Sequence, residues 1–409
     1  MVNANVLDQK TPERWRALAL LAVTLVLSMT TWFSASAVIP QLREEWQLSA
    51  TGAAWLTIAV QLGFVFGALV SSFLNLSDII SPKHVILGGT FGAAAANGLV
   101  EIAGAASIGI ALRFATGFFL AGVYPPALKL MATWFQRDRG VALGILVGAI
   151  VLGQAMPHLI NGLGGLDWGV VIYTTSALTL TGGLITEFVV REGPFPFPKA
   201  TFDPMQMWRV FANRGVRLAS YGYFGHMWEL FAMYAWFLLF FAEALRARGV
   251  TVGSAAAFAT FAVIAVGALG CWVGGILGDR WGRTKTTALM MAISGSCCVL
   301  VGLLFSAPTW LLLLVGLVWG FTVVADSAQF SAMVTELADQ SYVGTALTVQ
   351  LAVGFILTVA TIWLIPLTAD TLGWRWVFVF LAPGPALGVL AMLRLKSLPE
   401  SARLAGGVG

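Results

Sequence analysis

Long runs of apolar residues, separated by short polar segments, make up most of the sequence. A helix needs about 20 mostly apolar residues to cross the hydrocarbon core of a bilayer. About twelve runs approach this length, and we number them spans 1 to 12. They occupy roughly residues 15–39, 51–74, 84–104, 107–134, 141–163, 168–190, 218–246, 253–277, 286–306, 310–335, 342–366 and 374–395. The pattern predicts an all-α membrane protein with twelve transmembrane helices.

One connection is much longer than the others. Residues 191–217 read REGPFPFPKATFDPMQMWRVFANRGVR, and their prolines oppose a continuous helix. After Pro204, the stretch MQMWRVF could form a short amphipathic helix on the membrane surface. We therefore predict a six-helix bundle at 1–190, a cytoplasmic central loop at 191–217 and a second six-helix bundle at 218–409.

The two predicted halves resemble each other in sequence. Gly117 of span 4 matches Gly320 of span 10, and RGVALG at 139–144 matches VGTALT at 343–348 with one residue inserted. GLDWGVVIY, starting at Gly165, echoes GWRWVFVF, starting at Gly373, at the opening of the last span of each half. Duplicated six-helix halves are typical of transporters that bind their solute near the membrane midplane, between the halves.

Composition and charge agree with a membrane protein. The chain is 58% apolar and 10% charged, whereas soluble proteins average about 25% charged residues. The basic residues are spread over many short loops, so the net charge of +4 does not indicate a nucleic-acid partner. The first apolar run is too long for a signal-peptide core and lacks a cleavage signature, so we expect it to be retained as span 1.

The distribution of Lys and Arg predicts the orientation. If both termini are cytoplasmic, most of the 23 basic residues lie on the cytoplasmic side. Only Arg43, Arg246, Arg248 and Arg375 then lie on the other side. This bias follows the positive-inside rule. We predict a multi-pass protein of a cytoplasmic (inner) membrane with both termini in the cytoplasm.

The loop between spans 8 and 9 carries the most specific motif. It reads GILGDRWGRTK at 275–285, and its glycines allow a tight turn and close helix packing. It resembles the loop signature of the major facilitator superfamily, G-x-x-x-D-R-x-G-R-[RK]. Together with twelve spans in two halves, the resemblance covers nearly the whole chain. It implies that the loop pairs with neighbouring helix ends in one conformation and releases them in another. The motif residues are Gly278, Asp279, Arg280, Gly282 and Arg283.

The equivalent loop of the first half is degraded. LNLSDIISPKH at 74–84 keeps Asp78 and Lys83, but Ile79 stands where the pattern has Arg. Ser77 and Ser81 stand where glycines are expected. For either loop, the alternative is a charged turn that only sets the topology.

Span 7 contains two ionisable residues in the stretch YGYFGHMWELFAMYAW. His226 and Glu229 are three residues apart and share one face of a helix. An ionisable group near the bilayer centre costs roughly 2.5–3.5 kcal/mol on insertion scales. Because imidazole titrates near neutrality, the two groups could carry protons between the faces of the membrane. The alternative is a buried, hydrogen-bonded structural pair.

Spans 4 and 10 add two buried charges. Asp326 lies in VVADSAQFSAM, where Gln329 shares its helix face, and by the repeat it corresponds to Val123. Arg113 and Gly117 resemble the superfamily pattern R-x-x-x-G, which implies proton coupling or the binding of an anionic group. The alternatives are structural pairing for Asp326 and, for Arg113, a side chain that reaches up to the outer surface.

A further set of residues is predicted to line a central cavity. Spans 1 and 7 are repeat equivalents that flank this cavity in the superfamily, although aromatic residues in membrane helices also pack or face lipid. The predicted set is Trp32, Phe33, Tyr124, Trp228 and Gln329. In span 5, Gly144 and Gly153 fit the antiporter signature of the superfamily, but the PHLIN segment at 157–161 departs from it. We expect His158 to be a polar residue at the outer interface.

These observations predict a proton-coupled secondary transporter of a small solute that works by alternating access. Symport and antiport stay open, and sodium coupling is not excluded. The sequence has no G-x4-G-K-[ST] loop for ATP, and neither its three cysteines nor its three histidines have metal-ligand spacing. We therefore predict no cofactor, no metal and no enzymatic activity. The expected partners are the solute, protons and the lipid bilayer, with no nucleic acid, and the protein is expected to be a monomer.

Two rival functions stay open, together with the nature of the solute. The chain could be a membrane receptor or sensor on a transporter fold, or an efflux antiporter for drugs or metabolites. Two buried acids would suit a cationic or zwitterionic solute if one stays ionised, whereas Arg113 would favour an anion if both are protonated. Spans 2 and 8 carry no arginine within the cavity region, which argues against a nitrate porter.

Overall fold

The computed structural model describes residues 12–74, 76–135, 139–164, 167–195, 211–339 and 342–409. Within these ranges all regular secondary structure is helical. Eleven described helical segments are long and apolar enough to cross a membrane. The remaining span, span 3, is the 17-residue helix Pro82–Gly98, which at 1.5 Å per residue is about 25 Å long. The structure thus has the predicted twelve-helix, all-α architecture.

Several spans consist of more than one helix. Span 1 is Pro12–Ser28, extended by turns of 3-10 helix at Met29–Thr31 and Ser36–Val38 and by Ile39–Glu45. Each of three other spans has two helices: span 4 is Ala106–Leu120 with Tyr124–Ala132, span 8 is Ala255–Ala265 with Gly267–Trp281, and span 10 is Thr309–Ala325 with Ser327–Leu337.

The other spans are single helices. They are span 2 at Ala50–Phe73, span 5 at Arg139–Leu163, span 6 at Trp168–Phe188, span 7 at Arg214–Arg246, span 9 at Arg283–Leu303, span 11 at Val343–Leu372 and span 12 at Pro383–Lys396. Short helical turns at Leu76–Ile79, Trp374–Trp376, Val379–Leu381 and Pro399–Gly407 connect or follow these spans.

Polar residues begin three of the helices. The Ser49 hydroxyl accepts a hydrogen bond from Gly52 N at the start of span 2. Asp167 and Asn213 accept backbone N–H bonds in the same way at the starts of spans 6 and 7. These side chains satisfy N–H groups that a helix leaves unpaired at its first turn.

The spans pack closely both within and between the two predicted halves. Within spans 1 to 6, the first half, the main contacts are between the pairs 2–4, 3–6 and 1–6. Spans 7 to 12, the second half, pack through the pairs 7–12, 7–11, 9–12 and 8–10. Span 5 meets span 8 and span 2 meets span 11 across the boundary between the halves. The centre of the molecule is therefore an interface between two bundles.

The matched glycines of the two halves perform the same packing task. A Cβ on Gly117 would lie 2.0 Å from the carbonyl oxygen of Val60, and one on Gly320 would lie 1.7 Å from that of Val263. In both halves a glycine thus lets two helix backbones touch, as small residues do at helix contacts in membranes. The two matched glycines therefore lie at equivalent helix contacts, span 4 on span 2 in the first half and span 10 on span 8 in the second.

Two predictions concern residues whose placement the structure does not describe. The amphipathic helix predicted at MQMWRVF lies almost entirely within 196–210, outside the described residues. Asp78 belongs to the short helix Leu76–Ile79, but its side chain is outside the described part.

We call the end of the bundle that carries the 279–285 loop the basic end, and the other the opposite end.

Candidate functional site

A buried histidine of span 7 contacts a buried aspartate of span 10. His226 Nδ1 lies 2.9 Å from Asp326 Oδ1, and the two side chains are 1% and 2% exposed. Despite this short distance, Asp326 Oδ1 has no hydrogen-bond partner in the described part of the chain. Within the described residues, His226 Nε2 has no hydrogen-bond partner. One ring nitrogen and one carboxylate oxygen of this pair are therefore buried without a hydrogen bond to any described residue.

Asp326 lies where span 10 is interrupted. One helix ends at Ala325 and the next begins at Ser327, with Asp326 between them. The corresponding interruption in span 4 falls between Leu120 and Tyr124 and includes Val123, the predicted repeat equivalent of Asp326. Asp326 keeps right-handed helical backbone angles, φ −90° and ψ −13°, so the break in span 10 is a one-residue irregularity within one continuous span.

Glu229 binds a different set of neighbours from His226. Its carboxylate accepts hydrogen bonds from Trp319 Nε1 at 2.6 Å, Ser294 Oγ at 2.9 Å and Cys298 Sγ at 3.1 Å. These donors belong to spans 9 and 10, inside the second half. The two ionisable residues of span 7 thus have separate partners, and Glu229 is held within its own bundle.

Arg113 is fully buried and holds an irregular stretch of span 1 in place. Its guanidinium donates to the carbonyls of Thr31, Trp32 and Leu56 at 2.8, 2.5 and 3.3 Å, to Ser34 Oγ at 3.0 Å and to Asn97 Oδ1 at 2.8 Å. Span 1 is irregular at 32–35, so some of its carbonyls lack the usual helical donors. Because the side chain is 0% exposed, the alternative in which Arg113 reaches the outer surface is wrong.

Six aromatic rings meet at the centre of the interface between the halves. We call this set the central aromatic cluster; its members are Trp32, Phe33 and Phe64 of the first half and Phe231, Tyr234 and Phe355 of the second. Ring centroids are 4.8 Å apart for Trp32–Phe64, 6.0 Å for Trp32–Phe231, 5.1 Å for Phe64–Phe355 and 5.9 Å for Phe33–Tyr234. The structure therefore places Trp32 and Phe33, two of the predicted cavity residues, at the boundary between the bundles.

Two other predicted cavity residues lie elsewhere. Trp228 packs against Gly384 at the start of span 12, and its ring and Nε1 contact Phe380 in the preceding turn, with Nε1 donating to Phe380 O at 3.3 Å. Gln329 accepts from Arg283 Nη1 at 2.6 Å and donates to Gly274 O at 3.3 Å, toward the basic end. Both misplacements have one cause: a helix turns about 100° per residue, and the sequence does not show how each helix is rotated.

Tyr124, the fifth predicted cavity residue, begins the second helix of span 4. It is half-buried and packs against the hydrophobic core. Its place in a cavity stays a prediction.

The motif loop at the basic end is a compact charged network. Arg283 Nε lies 3.0 and 2.9 Å from the two carboxylate oxygens of Glu336, and Nη2 lies 2.6 Å from Oε1. Asp279 is 3.6 Å from Arg283. Gly282 has φ +97°, which favours glycine. Gly278 packs on the Gln329 side chain, and Arg280 is exposed.

Asp279 also connects the loop to the other half. Its Oδ2 lies 3.1 Å from the position that a Cβ on Gly140 would occupy. Gly140 is in the first turn of span 5, and a carboxylate is stabilised near the positive end of a helix dipole. The loop can therefore hold the two halves together at the basic end.

Two buried polar side chains, His158 and Gln61, have no hydrogen-bond partners among the described residues. From the sequence we placed His158 at the interface and did not consider Gln61. The prediction that His158 is an interfacial residue is wrong: it is 0% exposed, and in the described structure neither ring nitrogen has a hydrogen-bond partner. The same holds for both amide atoms of Gln61 in span 2. The sequence contained one sign that His158 is buried. Gly162 lies one turn after it, and small residues mark close helix contacts in membranes; in the structure Gly162 packs against Phe258 of span 8.

A protein-family model described as Major Facilitator Superfamily matches residues 21–325 and 248–408. The chain belongs to the major facilitator superfamily. This membership makes it a multi-pass membrane protein of a transporter family and not an enzyme.

Two curated members of the superfamily are similar over part of the chain. The multidrug efflux pump LfrA of Mycolicibacterium smegmatis is 27% identical over 203 residues, which is 48% of this chain and 40% of LfrA. The MFS transporter asaE of Aspergillus flavus is 26% identical over 167 residues, 37% of this chain and 35% of that protein. The matched stretches thus cover less than half of either relative.

Solved structures of superfamily members share the fold over nearly the whole chain. A bacterial homologue of the human lysosomal transporter Spinster, in an inward-facing and unoccupied conformation, has a TM-score of 0.69 at 16% identity and covers 95% of this chain and 100% of that one. Its inward-facing, occupied form gives a TM-score of 0.71 at 15% identity, with 95% and 97% covered. At these identities the likeness concerns the fold.

Proposed function

We propose that this superfamily member is a proton-coupled secondary transporter that moves a small solute across the cytoplasmic membrane. The observation that carries this proposal is the buried contact between His226 and Asp326, 2.9 Å apart. With the imidazole protonated and the carboxylate ionised, the pair is neutral overall. One further proton would give it a net positive charge in a buried site, which is unfavourable unless the surroundings change. Proton binding is thereby linked to a change of conformation.

The position of Asp326 supports such a link. It joins the two helices of span 10, and small rotations at such a joint can change the packing of a whole helix. Glu229 is a second candidate proton site, because its carboxyl group is buried, at 1% exposure, in a membrane-spanning helix. Arg113, whose donors all bind groups of the first half, positions span 1 in this proposal.

Contacts between the halves support alternating access. Asp279 reaches Gly140 at the basic end, and Phe258 packs on Gly162 near the opposite end. The central aromatic cluster lies between these contacts. We propose that the halves rock so that each set of contacts opens in turn, with the basic end in the cytoplasm, and that a single chain performs the cycle.

Reconstitution tests this proposal. A thermal-shift screen of small solutes first identifies one that binds, and purified protein is then placed in proteoliposomes with an imposed pH gradient. We expect Asp326→Asn to abolish accumulation driven by the gradient while solute exchange without a gradient continues. The matched control is Asp370→Asn, which changes an exposed acid near the end of span 11 and should leave accumulation unchanged.

Two results would contradict the proposal. If no bound solute crosses the membrane under any gradient, the protein is better explained as a receptor or sensor. If Asp326→Asn accumulates solute as the parent does, His226 and Asp326 are a structural pair and protons are coupled elsewhere.

The similarity to LfrA, a multidrug efflux pump, favours efflux antiport as the direction of transport. The same proton site serves either direction, because antiport only requires that proton and solute occupy the protein alternately. Inside-out vesicles loaded with a pH indicator separate the two cases. In an acidified lumen, antiport releases protons when solute is added outside, whereas symport does not.

A further inference from the structure

Three side chains around the central aromatic cluster carry polar atoms that lack hydrogen-bond partners in the described residues. These atoms are Trp32 Nε1, the Tyr234 hydroxyl and both amide atoms of Gln61. The three residues are 3%, 0% and 0% exposed, respectively. A buried polar group without a partner costs about 1–3 kcal/mol. Three such groups in one region point to a ligand that supplies the missing partners.

Trp32 and Tyr234 are members of the cluster, one from each half, and Gln61 shares a helix face with a third member, Phe64. Gln61 lies three residues before Phe64 on span 2, and the Phe64 ring is 4.8 Å from that of Trp32. Tyr234, on span 7, contacts Phe33 at 5.9 Å. A solute placed between the halves at this level would meet a donor from Trp32, a donor and an acceptor from Gln61, and a hydroxyl from Tyr234.

The charged groups of the spans do not contribute to this surface. Arg113 directs its donors into the first half. Glu229 and the His226–Asp326 pair are bound within the second half. What remains at the interface is a set of ring faces with a few neutral hydrogen-bonding groups. A solute with a localised charge would find no counter-charge here, and a sugar would find too few hydrogen-bond partners.

We propose that the central aromatic cluster, with Gln61, is the substrate site and that it takes planar aromatic solutes without localised charge. Such solutes have an apolar ring body and one to three hydrogen-bonding groups on the edge. Ring faces stack on aromatic side chains, and a few polar groups then fix the orientation. The inference rests on the proposed transport function, for which it specifies the class of solute.

Equilibrium binding in detergent, without any proton gradient, tests the substrate class. The probe is 2-hydroxyquinoline, a neutral bicyclic lactam with one N–H and one carbonyl. The comparison compound is 2-naphthalenesulfonate, which has a ring body of the same size and a localised charge. The variants Trp32→Phe, Gln61→Leu and Tyr234→Phe each remove polar atoms and keep most of the side-chain volume. We expect each to weaken probe binding about 5- to 10-fold, the effect of one lost hydrogen bond.

Thermal unfolding of the same variants separates a ligand site from a structural role. Because the removed polar atoms of Gln61 and Tyr234 have no partner in the described residues, we expect Gln61→Leu and Tyr234→Phe to unfold at an unchanged or higher temperature. Trp32→Phe also shortens a ring packed on Phe64 and Phe231, so its unfolding temperature is compared with that of an equal Trp-to-Phe change elsewhere. The matched control is Trp236→Phe, whose Nε1 donates to Ile362 O at 3.0 Å. This control should unfold at a lower temperature and bind the probe as the parent does.

The proposal is overturned if the three variants bind the probe normally, or if the sulfonate binds as tightly as the lactam. Failure of this proposal and failure of transport are distinguishable. If another solute moves under a pH gradient while 2-hydroxyquinoline does not bind, the substrate class is wrong and the transport function stands. If the probe binds, the three variants weaken it and it never crosses the membrane, the site stands and the transport function is wrong.

Discussion

Arg113 offers the sharpest test of what a buried charge does in this fold. Replacing it with Met keeps a long apolar side chain and removes every donor. The single hydroxyl hydrogen of Ser34 can be donated to Asn97 Oδ1 at 2.7 Å or to Thr31 O at 3.1 Å, so one of these two acceptors would keep a bond. The carbonyl of Trp32 would lose the guanidinium donor that now lies 2.5 Å away.

The size of the effect follows from these contacts. Each hydrogen bond from a charged donor contributes about 1.5–3 kcal/mol, and a carbonyl left unpaired costs about 1–3 kcal/mol. Removing a buried charge recovers part of this loss. We therefore expect Arg113→Met to lower the free energy of unfolding by about 2–4 kcal/mol.

Thermal unfolding of purified protein in detergent measures the loss of stability in Arg113→Met. Faster hydrogen exchange at residues 29–38 would show that span 1 is the part that is destabilised. Arg113→Lys is the graded control, because an ammonium is a single point of charge and cannot reach carbonyl and amide oxygens spread around a planar fork. We expect its stability and its transport to lie between those of the parent and of Arg113→Met.

A different result would refute this reasoning. If Arg113→Met unfolds at the parent temperature, exchange at 29–38 is unchanged and only gradient-driven transport is lost, then Arg113 acts in proton coupling, as the family resemblance implies. Parallel loss of stability and transport supports its role as a positioning residue.

Two further predictions concern packing and the charged loop. Gly117→Ala and Gly320→Ala should each sharply reduce the yield of folded protein, because the added Cβ would overlap a backbone carbonyl. Size-exclusion chromatography measures this yield. Gly88→Ala, where an added Cβ has nothing within 4 Å, should be neutral, and equal yields of all three variants would contradict the packing argument. Glu336→Gln should weaken the two-oxygen contact with Arg283 and raise hydrogen exchange at 283–290 severalfold, whereas unchanged exchange would show that the contact does not hold the loop.

The hydrophobic pattern was sufficient for the number of spans and their approximate ends. Crossing a bilayer imposes a length and an apolar composition that any sequence must satisfy. The Gly117–Gly320 match was also readable, because a close backbone contact admits only the smallest side chain. His226, Glu229, Asp326 and Arg113 stood out for a similar reason, since charge is costly in a bilayer.

The partners of those charges were decided by the tertiary structure alone. In a membrane helix the faces toward lipid and toward protein are both apolar, so the sequence pattern shows poorly which way a helix is rotated. The sequence could therefore not show that His226 contacts Asp326, that Glu229 accepts a hydrogen bond from Trp319, or that Trp228 packs on the start of span 12. For the same reason the central aromatic cluster could be assembled only when six rings from four spans were placed in space.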